Sequence, residues 1–373
     1  MKSVYADSTV TLYESDAVEM LASLDAGSVN LAFLDPPYYK VKSKLWWDNQ
    51  WETEADFLAW MGQVCQGVKR ALAPNGSLYL CASPQMAWGV EGVVRERLNV
   101  LNVVRWYKDA GWHKKADVLA LRSYLEPWEA IVVAEHQDYA TSERGDVDGL
   151  SISVFEPIRA YLDSERRRAG VNFEQVRQMV GCAPGSGLPS HWFTRSQWMM
   201  PTAKNYVKLQ IGFNEDNPGE YLRREYEDLR REYEDLRREY EDLRRSFFLT
   251  KDRPSTDLWT YDPVQPDNSK HETAKPLPML LDIIRTSSRP GDLVLDCFLG
   301  GGTTLAAAAI LGRRFIGGDI QAHWIKASLA RLKEARGEWG LRVKREMTAK
   351  SPQPNANGER QLDLFQTIEE ATS

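Results

Sequence analysis

Cysteine is scarce in this chain. Cys65, Cys81, Cys182 and Cys297 are the full set, with no Cys-x-x-Cys pair among them, which excludes a zinc-ribbon framework or a disulfide scaffold and leaves no metal site to expect. No apolar run approaches the roughly 18 residues that a membrane helix needs, and Met1-Lys2-Ser3-Val4-Tyr5-Ala6-Asp7 lacks the pattern of a secretory signal. The expectation is a soluble cytoplasmic protein with no membrane partner. An excess of basic residues is also missing: 47 Lys and Arg stand against 53 Asp and Glu, a net charge of −6. A polyanionic partner would therefore require positive charge gathered on one face. What is present, 373 residues that are 43% hydrophobic, suffices for two or three domains and a substantial core.

Two short segments, far apart, carry the chemistry. Val29-Asn30-Leu31-Ala32-Phe33-Leu34 reads as a buried strand. It is stopped by Asp35-Pro36-Pro37-Tyr38, because neither proline can donate a ladder hydrogen bond. A carboxylate and an aromatic ring are thus delivered at a strand's carboxyl end, where open α/β sheets bind ligands. Downstream, Leu293-Val294-Leu295-Asp296 predicts a second buried strand, and Thr303 to Leu311 the alanine-rich helix after it. Between them lies Cys297-Phe298-Leu299-Gly300-Gly301-Gly302, where consecutive glycines allow close approach of a ligand to a helix N-terminus. A third strand, Arg314 to Gly318, ends at Asp319, roughly 20 positions beyond the glycines, the spacing at which a carboxylate reaches ribose hydroxyls. The loop is neither Gly-x-Gly-x-x-Gly nor a Walker loop, since no lysine follows it.

With those segments in this order the sequence resembles the β-class amino-group DNA methyltransferases, which act on adenine N6 or cytosine N4. The family pattern Asp-Pro-Phe-x-Gly-Ser-Gly-Thr-Thr has Cys297 in place of proline and Gly301 in place of serine here. The family's His-Pro-x-x-Lys-Pro segment is matched by His271-Glu272-Thr273-Ala274-Lys275-Pro276, and its Gly-Asp step by Ser15-Asp16. The resemblance implies an α/β fold: a Rossmann-like S-adenosylmethionine-dependent methyltransferase domain with an inserted, mainly helical target-recognition region. It implies catalytic roles for Asp35, Pro36, Pro37 and Tyr38. It also implies S-adenosyl-L-methionine contacts from Asp16, Asp35, Thr273, Lys275, Asp296, Phe298, Gly300, Gly302, Thr303 and Asp319. The target amine is a poor nucleophile because its lone pair is conjugated into the ring. Asp35 and the Pro36 carbonyl would accept its two N–H bonds and stabilise the charge that develops on attack, and Tyr38 would stack on an extruded base. Aspartate at the first motif position favours adenine N6 over cytosine N4, where serine is commoner. Methylation at cytosine carbon 5 is disfavoured, because it needs a cysteine nucleophile usually presented as Pro-Cys, and that dipeptide is absent. RNA methylation and a non-catalytic DNA-binding regulator are the remaining rivals.

The expected boundaries are a catalytic half over 1–140, a recognition insertion over 141–260, a cofactor-binding half over 261–345 and a flexible tail over 346–373. Candidate contacts to duplex DNA are Lys114, Lys115 and Arg122, interleaved with aromatics, and Trp46 just after the catalytic loop. Arg166-Arg167-Arg168 is either a further basic patch or an ordinary solvated face. Arg-Glu-Tyr-Glu-Asp-Leu-Arg begins at Arg224, Arg231 and Arg238 and sets Leu222, Tyr226, Leu229, Tyr233, Leu236, Tyr240 and Leu243 on one seam. The spacing predicts a helix over 220–245 that either pairs two protomers, a homodimer, or lies against its own domain. In the tail, Gln361-Leu362-Asp363-Leu364-Phe365 resembles the peptide by which bacterial proteins bind the replication sliding clamp. Together these features imply a nucleoid-associated enzyme of a bacterium or a phage-infected cell.

Overall fold

The computed structural model describes residues 2–41, 46–108, 117–136, 148–183, 186–195, 198–216, 219–250, 253–264 and 274–349. The chain divides into two compact units, one made of residues 1–139 with 245–373 and the other of residues 140–244.

The first unit is built on a nine-stranded sheet. In chain order its strands are β1 (Tyr5–Ala6), β2 (Val10–Glu14), β3 (Val29–Leu34), β4 (Leu72–Ala82), β5 (Asn99–Tyr107), β6 (Trp128–Glu135), β7 (Leu258–Trp259), β8 (Leu293–Asp296) and β9 (Arg314–Asp319). The chain's helices are α1 (Ala17–Ser23), α2 (Glu54–Ala71), α3 (Ala87–Arg95), α4 (Asp148–Arg168), α5 (Phe173–Val180), α6 (Ala203–Phe213), α7 (Tyr226–Leu243), α8 (Leu277–Ser287), α9 (Thr303–Ile310), α10 (Ala322–Ala335) and α11 (Glu338–Ala349). The spatial strand order is β1-β2-β9-β8-β3-β4-β6-β5-β7. From β2 to β4 every neighbouring pair is parallel, whereas β6 runs antiparallel to both β4 and β5.

Alternation along the strands explains the layering. Ala32, Leu34, Leu78, Leu80, Val132 and Leu295 point into the core beneath α1, α2 and α3. Their neighbours Leu31, Phe33, Tyr79, Cys81, Val133 and Val294 point into the core beneath α8, α9 and α10. A parallel sheet covered on both faces needs apolar residues at successive positions, and the strands read that way. The central pair is β3 with β8, in the register Leu31↔Val294 and Ala32↔Leu295. The chain leaves β8 through α9 to β9 on one side, and leaves β3 through α2 to β4 on the other. Because such crossovers share one hand, the helices fall on opposite faces and a crevice opens at the carboxyl ends of β3 and β8.

The second unit contains only helices among its described elements, α4 to α7 with a short 3-10 turn over Leu188–Trp192. Ile158, Leu162, Val176, Trp192, Phe193, Tyr206, Leu209, Leu222 and Leu229 form its core. The heptad seam closes on this unit, one of the two arrangements left open by the sequence: Leu222 and Leu229 are buried, and Tyr226, Tyr233 and Leu236 pack against the same core. The helix begins at Tyr226 and not at 220, because Leu222 takes a left-handed backbone, φ 51°. Its amide donates to Glu165 at 2.7 Å and its carbonyl accepts from Gln210 at 2.8 Å. The arginine triplet is neutralised within α4. Arg166 and Arg167 meet Asp163 at 2.7 and 2.8 Å, and Arg168 pairs with Glu165.

The helical unit ends at Arg244, earlier than the expected 260. Residues 245–260 belong to the sheet unit because Leu258 and Trp259 pair with Arg105 and Trp106 of β5. Arg245 also meets the buried Glu135 at 2.7 Å. That pairing of an isolated dipeptide strand has no periodicity by which a sequence could reveal it.

Candidate active site

A cavity of about 580 Å³ occupies the crevice at the ends of β3 and β8. Asp35 and Tyr38 line it from one side, and Phe298, Gly300 and Thr303 from the other. Asp16, Lys275, Asp296 and Asp319 also reach its wall. Residues that stand far apart in the chain are gathered by the sheet, with β3 and β8 paired at its centre and β2 and β9 beside them.

The glycine loop is held by its surroundings. Gly300 and Gly302 have φ of 46° and 74°, conformations that side chains with a Cβ resist. At Gly302 an added Cβ would also lie 2.7 Å from the Ser328 hydroxyl and 2.9 Å from its Cα. Asp319 fixes the loop by accepting the Gly300 amide at 2.9 Å, and its other oxygen accepts from the Gln321 amide at 2.9 Å. Ser328 donates to the Gly300 carbonyl at 2.9 Å, and Arg331 to the Gly301 carbonyl at 3.0 Å and the Thr303 hydroxyl at 2.7 Å. Asp16 caps α1, accepting from the Val18 amide at 2.8 Å. Asp296 is buried and accepts from the Phe298 amide at 3.0 Å. Burial pushes its carboxyl up to about 7, with the nearby charges of Asp35 and Asp319 adding to the rise and hydrogen bonds from Thr304 and Phe298 opposing it. Burial also raises Asp319, against the amides that bond it.

The Asp35–Tyr38 side carries a quartet of two cations and two carboxylates. Lys275 forms an ion pair with Asp35 and stands 3.4 Å from Glu129. Lys108 pairs with the other Glu129 oxygen. The Tyr38 hydroxyl lies 3.1 Å from Asp35 and 3.2 Å from Glu129, both at hydrogen-bond distance. Side chains here are nearly enclosed, 5% exposed for Lys275 and 13% for Glu129. Burial draws the Lys275 ammonium down, but Asp35 and Glu129 outweigh it and hold the group above its ordinary value. Burial raises Glu129, and Lys275 with Lys108 more than reverses that, leaving the carboxylate below its usual range. Removing one member of such a buried set typically costs roughly 3–5 kcal/mol, because the partner's charge is left uncompensated. The loop itself is anchored by Asp48, which accepts from the Tyr38 amide at 2.9 Å.

Among the expected site residues, Asp16, Asp35, Pro36, Pro37, Tyr38, Lys275, Asp296, Phe298, Gly300, Thr303 and Asp319 all line this one cavity. Gly302 does not face it, and sits behind the loop against Ser328. Trp46 lines the rim and is 55% exposed, whereas its neighbour Trp51 is core, packed on Phe57 and Trp60. Arg122 is exposed, with its guanidinium on the Leu119 and Leu121 carbonyls, and is not part of the cavity wall. Thr273, Lys114, Lys115 and the peptide Gln361 to Phe365 lie outside the described residues. Glu129 was not singled out by sequence reasoning, although it carries a signal: it opens the apolar run Ala130 to Ala134, where an unpaired charge is too costly to keep.

Residues 29–330 match the model of a protein family described as DNA methylase, of the N6/N4 type. The DNA adenine methyltransferase YhdJ of Escherichia coli is 24% identical over 329 residues, 88% of this chain and 84% of that protein. The type II methyltransferase M1.MboII of Moraxella bovis is 54% identical over 55 residues, 15% of this chain and 21% of its own. Among solved structures, the cytosine-N4-specific PvuII DNA methyltransferase superposes with a TM-score of 0.50 at 13% identity, covering 92% of this chain and 95% of that one, a likeness of fold.

Proposed function

The chain belongs to the N6/N4 DNA methylase family, and on that premise we propose that it methylates N6 of adenine in duplex DNA after the base leaves the stack. One observation carries this reading: the Asp35–Tyr38 loop and the Gly300–Thr303 loop open into a single cavity.

S-adenosyl-L-methionine is the cofactor, and when bound it supplies a methyl group on a positively charged sulfur. The residues present fit it. The glycine loop lets a ligand approach the start of α9 without a Cβ in the way, and each Asp319 oxygen retains a lone pair for a ribose hydroxyl after bonding its backbone amide. On the other side, Asp35 and the Pro36 carbonyl would accept the two N–H bonds of an exocyclic amine, and Tyr38 would offer a ring face for stacking, a reading supported by their shared place on the cavity wall. Fixing that amine in line with the methyl group removes much of the entropic barrier, so no covalent intermediate with the protein is needed. Adenine is favoured over cytosine because Asp35 holds the motif position where serine is commoner in cytosine-N4 enzymes.

Nucleosides digested from the DNA of cells expressing the protein test the base directly. N6-methyladenine is expected, and N4-methylcytosine in its place would move the assignment to the other base. The helical unit, residues 140–244, is assigned target recognition because it interrupts the catalytic unit with a separate core. The tail peptide Gln361-Leu362-Asp363-Leu364-Phe365 is assigned to the replication sliding clamp, since two leucines and a phenylalanine on a polar tether suit an apolar groove on a partner.

A further inference from the structure

We propose that Glu129 is a positioning residue for methyl transfer: its carboxylate takes hold of the Lys275 ammonium and the Tyr38 hydroxyl, so that Asp35 is free to receive the target amine. The inference rests on the function proposed above.

The need arises from a conflict at one oxygen. Asp35 Oδ1 is the atom that Lys275 pairs with, and the Tyr38 hydroxyl reaches the same atom at 3.1 Å. With both lone pairs of Oδ1 engaged, the amine must use Oδ2, and a cation held by the same carboxylate weakens that oxygen as an acceptor. Glu129 offers the alternative. Its Oε2 stands 3.2 Å from the Tyr38 hydroxyl and 3.4 Å from Lys275, while Lys108 anchors its Oε1. Lys275 and Tyr38 therefore sit between two carboxylates and can lean toward Glu129 when a base arrives, with little motion and no exposure of charge. Without the Glu129 anion, Lys275 would bind Asp35 alone and more tightly.

The groups around Lys275 are Asp35, Glu129, Tyr38 and the Cys81 thiol, and those around Glu129 are Lys275, Lys108 and Tyr38. Of the three ion pairs at Lys275 and Lys108, two involve Glu129. The side chain comes from β6, and its place on the cavity wall is set by the pairing Trp106↔Glu129.

The test is Glu129→Gln and Glu129→Asp in the full-length protein, assayed with a methylatable duplex and saturating S-adenosyl-L-methionine. Glu129→Gln is expected to lower kcat about 10- to 100-fold, as losing a charged hydrogen-bond partner does, while the KM for S-adenosyl-L-methionine stays near that of the wild type. Glu129→Asp retains the anion on a shorter side chain, so it should recover an intermediate kcat. A Glu129→Gln enzyme with wild-type kcat, or one whose loss lies in the KM for S-adenosyl-L-methionine, overturns the proposal. If that variant does not fold, Glu129→Asp decides alone, and wild-type kcat from it is the overturning result. A wild-type protein that methylates no DNA contradicts the function and not this assignment, so the two failures are told apart.

Discussion

Asp296 is the residue where pH should reach the cofactor. Burial lifts its carboxyl to about 7, so it gains its negative charge only as the solution turns neutral. A positively charged ligand in the cavity favours the ionised form, and proton and ligand then compete. Affinity for S-adenosyl-L-methionine, measured by calorimetry, should therefore weaken as pH falls from 8 to 6, and Asp296→Asn should flatten that dependence; a wild-type affinity that does not change over this range would contradict it. The same shift has a stability sign. A raised acid binds its proton more readily when folded, so its contribution is largest in acid and is lost as pH rises toward 7. Asp35, Tyr38 and Asp296 were legible because each sits in a contiguous motif whose residue types declare their chemistry. Glu129 was not, since its partners Lys275 and Tyr38 lie in other segments and no local spacing links them.

At the scale of elements, the strands with strict apolar runs were readable and the short ones were not. Val29 to Leu34 and Leu293 to Asp296 form the expected strands, but their direct pairing depends on the whole sheet. The repeat helix shows the limit of periodicity. Its seam was plain in the sequence, yet a seam says that something apolar covers it, not what. Here the cover is the core of the helical unit, with Leu229 1% exposed among Leu222, Leu162 and Tyr206. Leu229→Ala should destabilise that unit by roughly 2–5 kcal/mol, the range for deleting a buried leucine side chain. Denaturant unfolding followed by the unit's tryptophans, Trp192 and Trp198, would read the loss; an unchanged midpoint would mean that the seam is not core.

For the whole molecule, the order of motifs mattered more than any one of them. Strand β3 precedes β8 by much more than the length of the inserted unit, and the sheet brings them side by side. Many cations of the inserted unit are spent on internal pairs such as Arg159 with Glu156 and Arg166 with Asp163, so a chain of net charge −6 would draw its affinity for a polyanion from other cations. The proposed clamp contact belongs to this scale too. Replacing Leu364 and Phe365 with alanine should abolish co-purification of the sliding clamp and leave methylation of short duplexes intact; clamp recovery equal to the wild type would contradict the assignment.

The central claim is that one cavity holds both an activated methyl group and the amine that receives it, with Asp35 acting on the amine. The nucleoside assay, run on Asp35→Ala beside the wild type with S-adenosyl-L-methionine affinity measured for both, tests it most directly. The account predicts N6-methyladenine from the wild type, none from the variant, and cofactor binding retained by both. Full methylation by Asp35→Ala would contradict it.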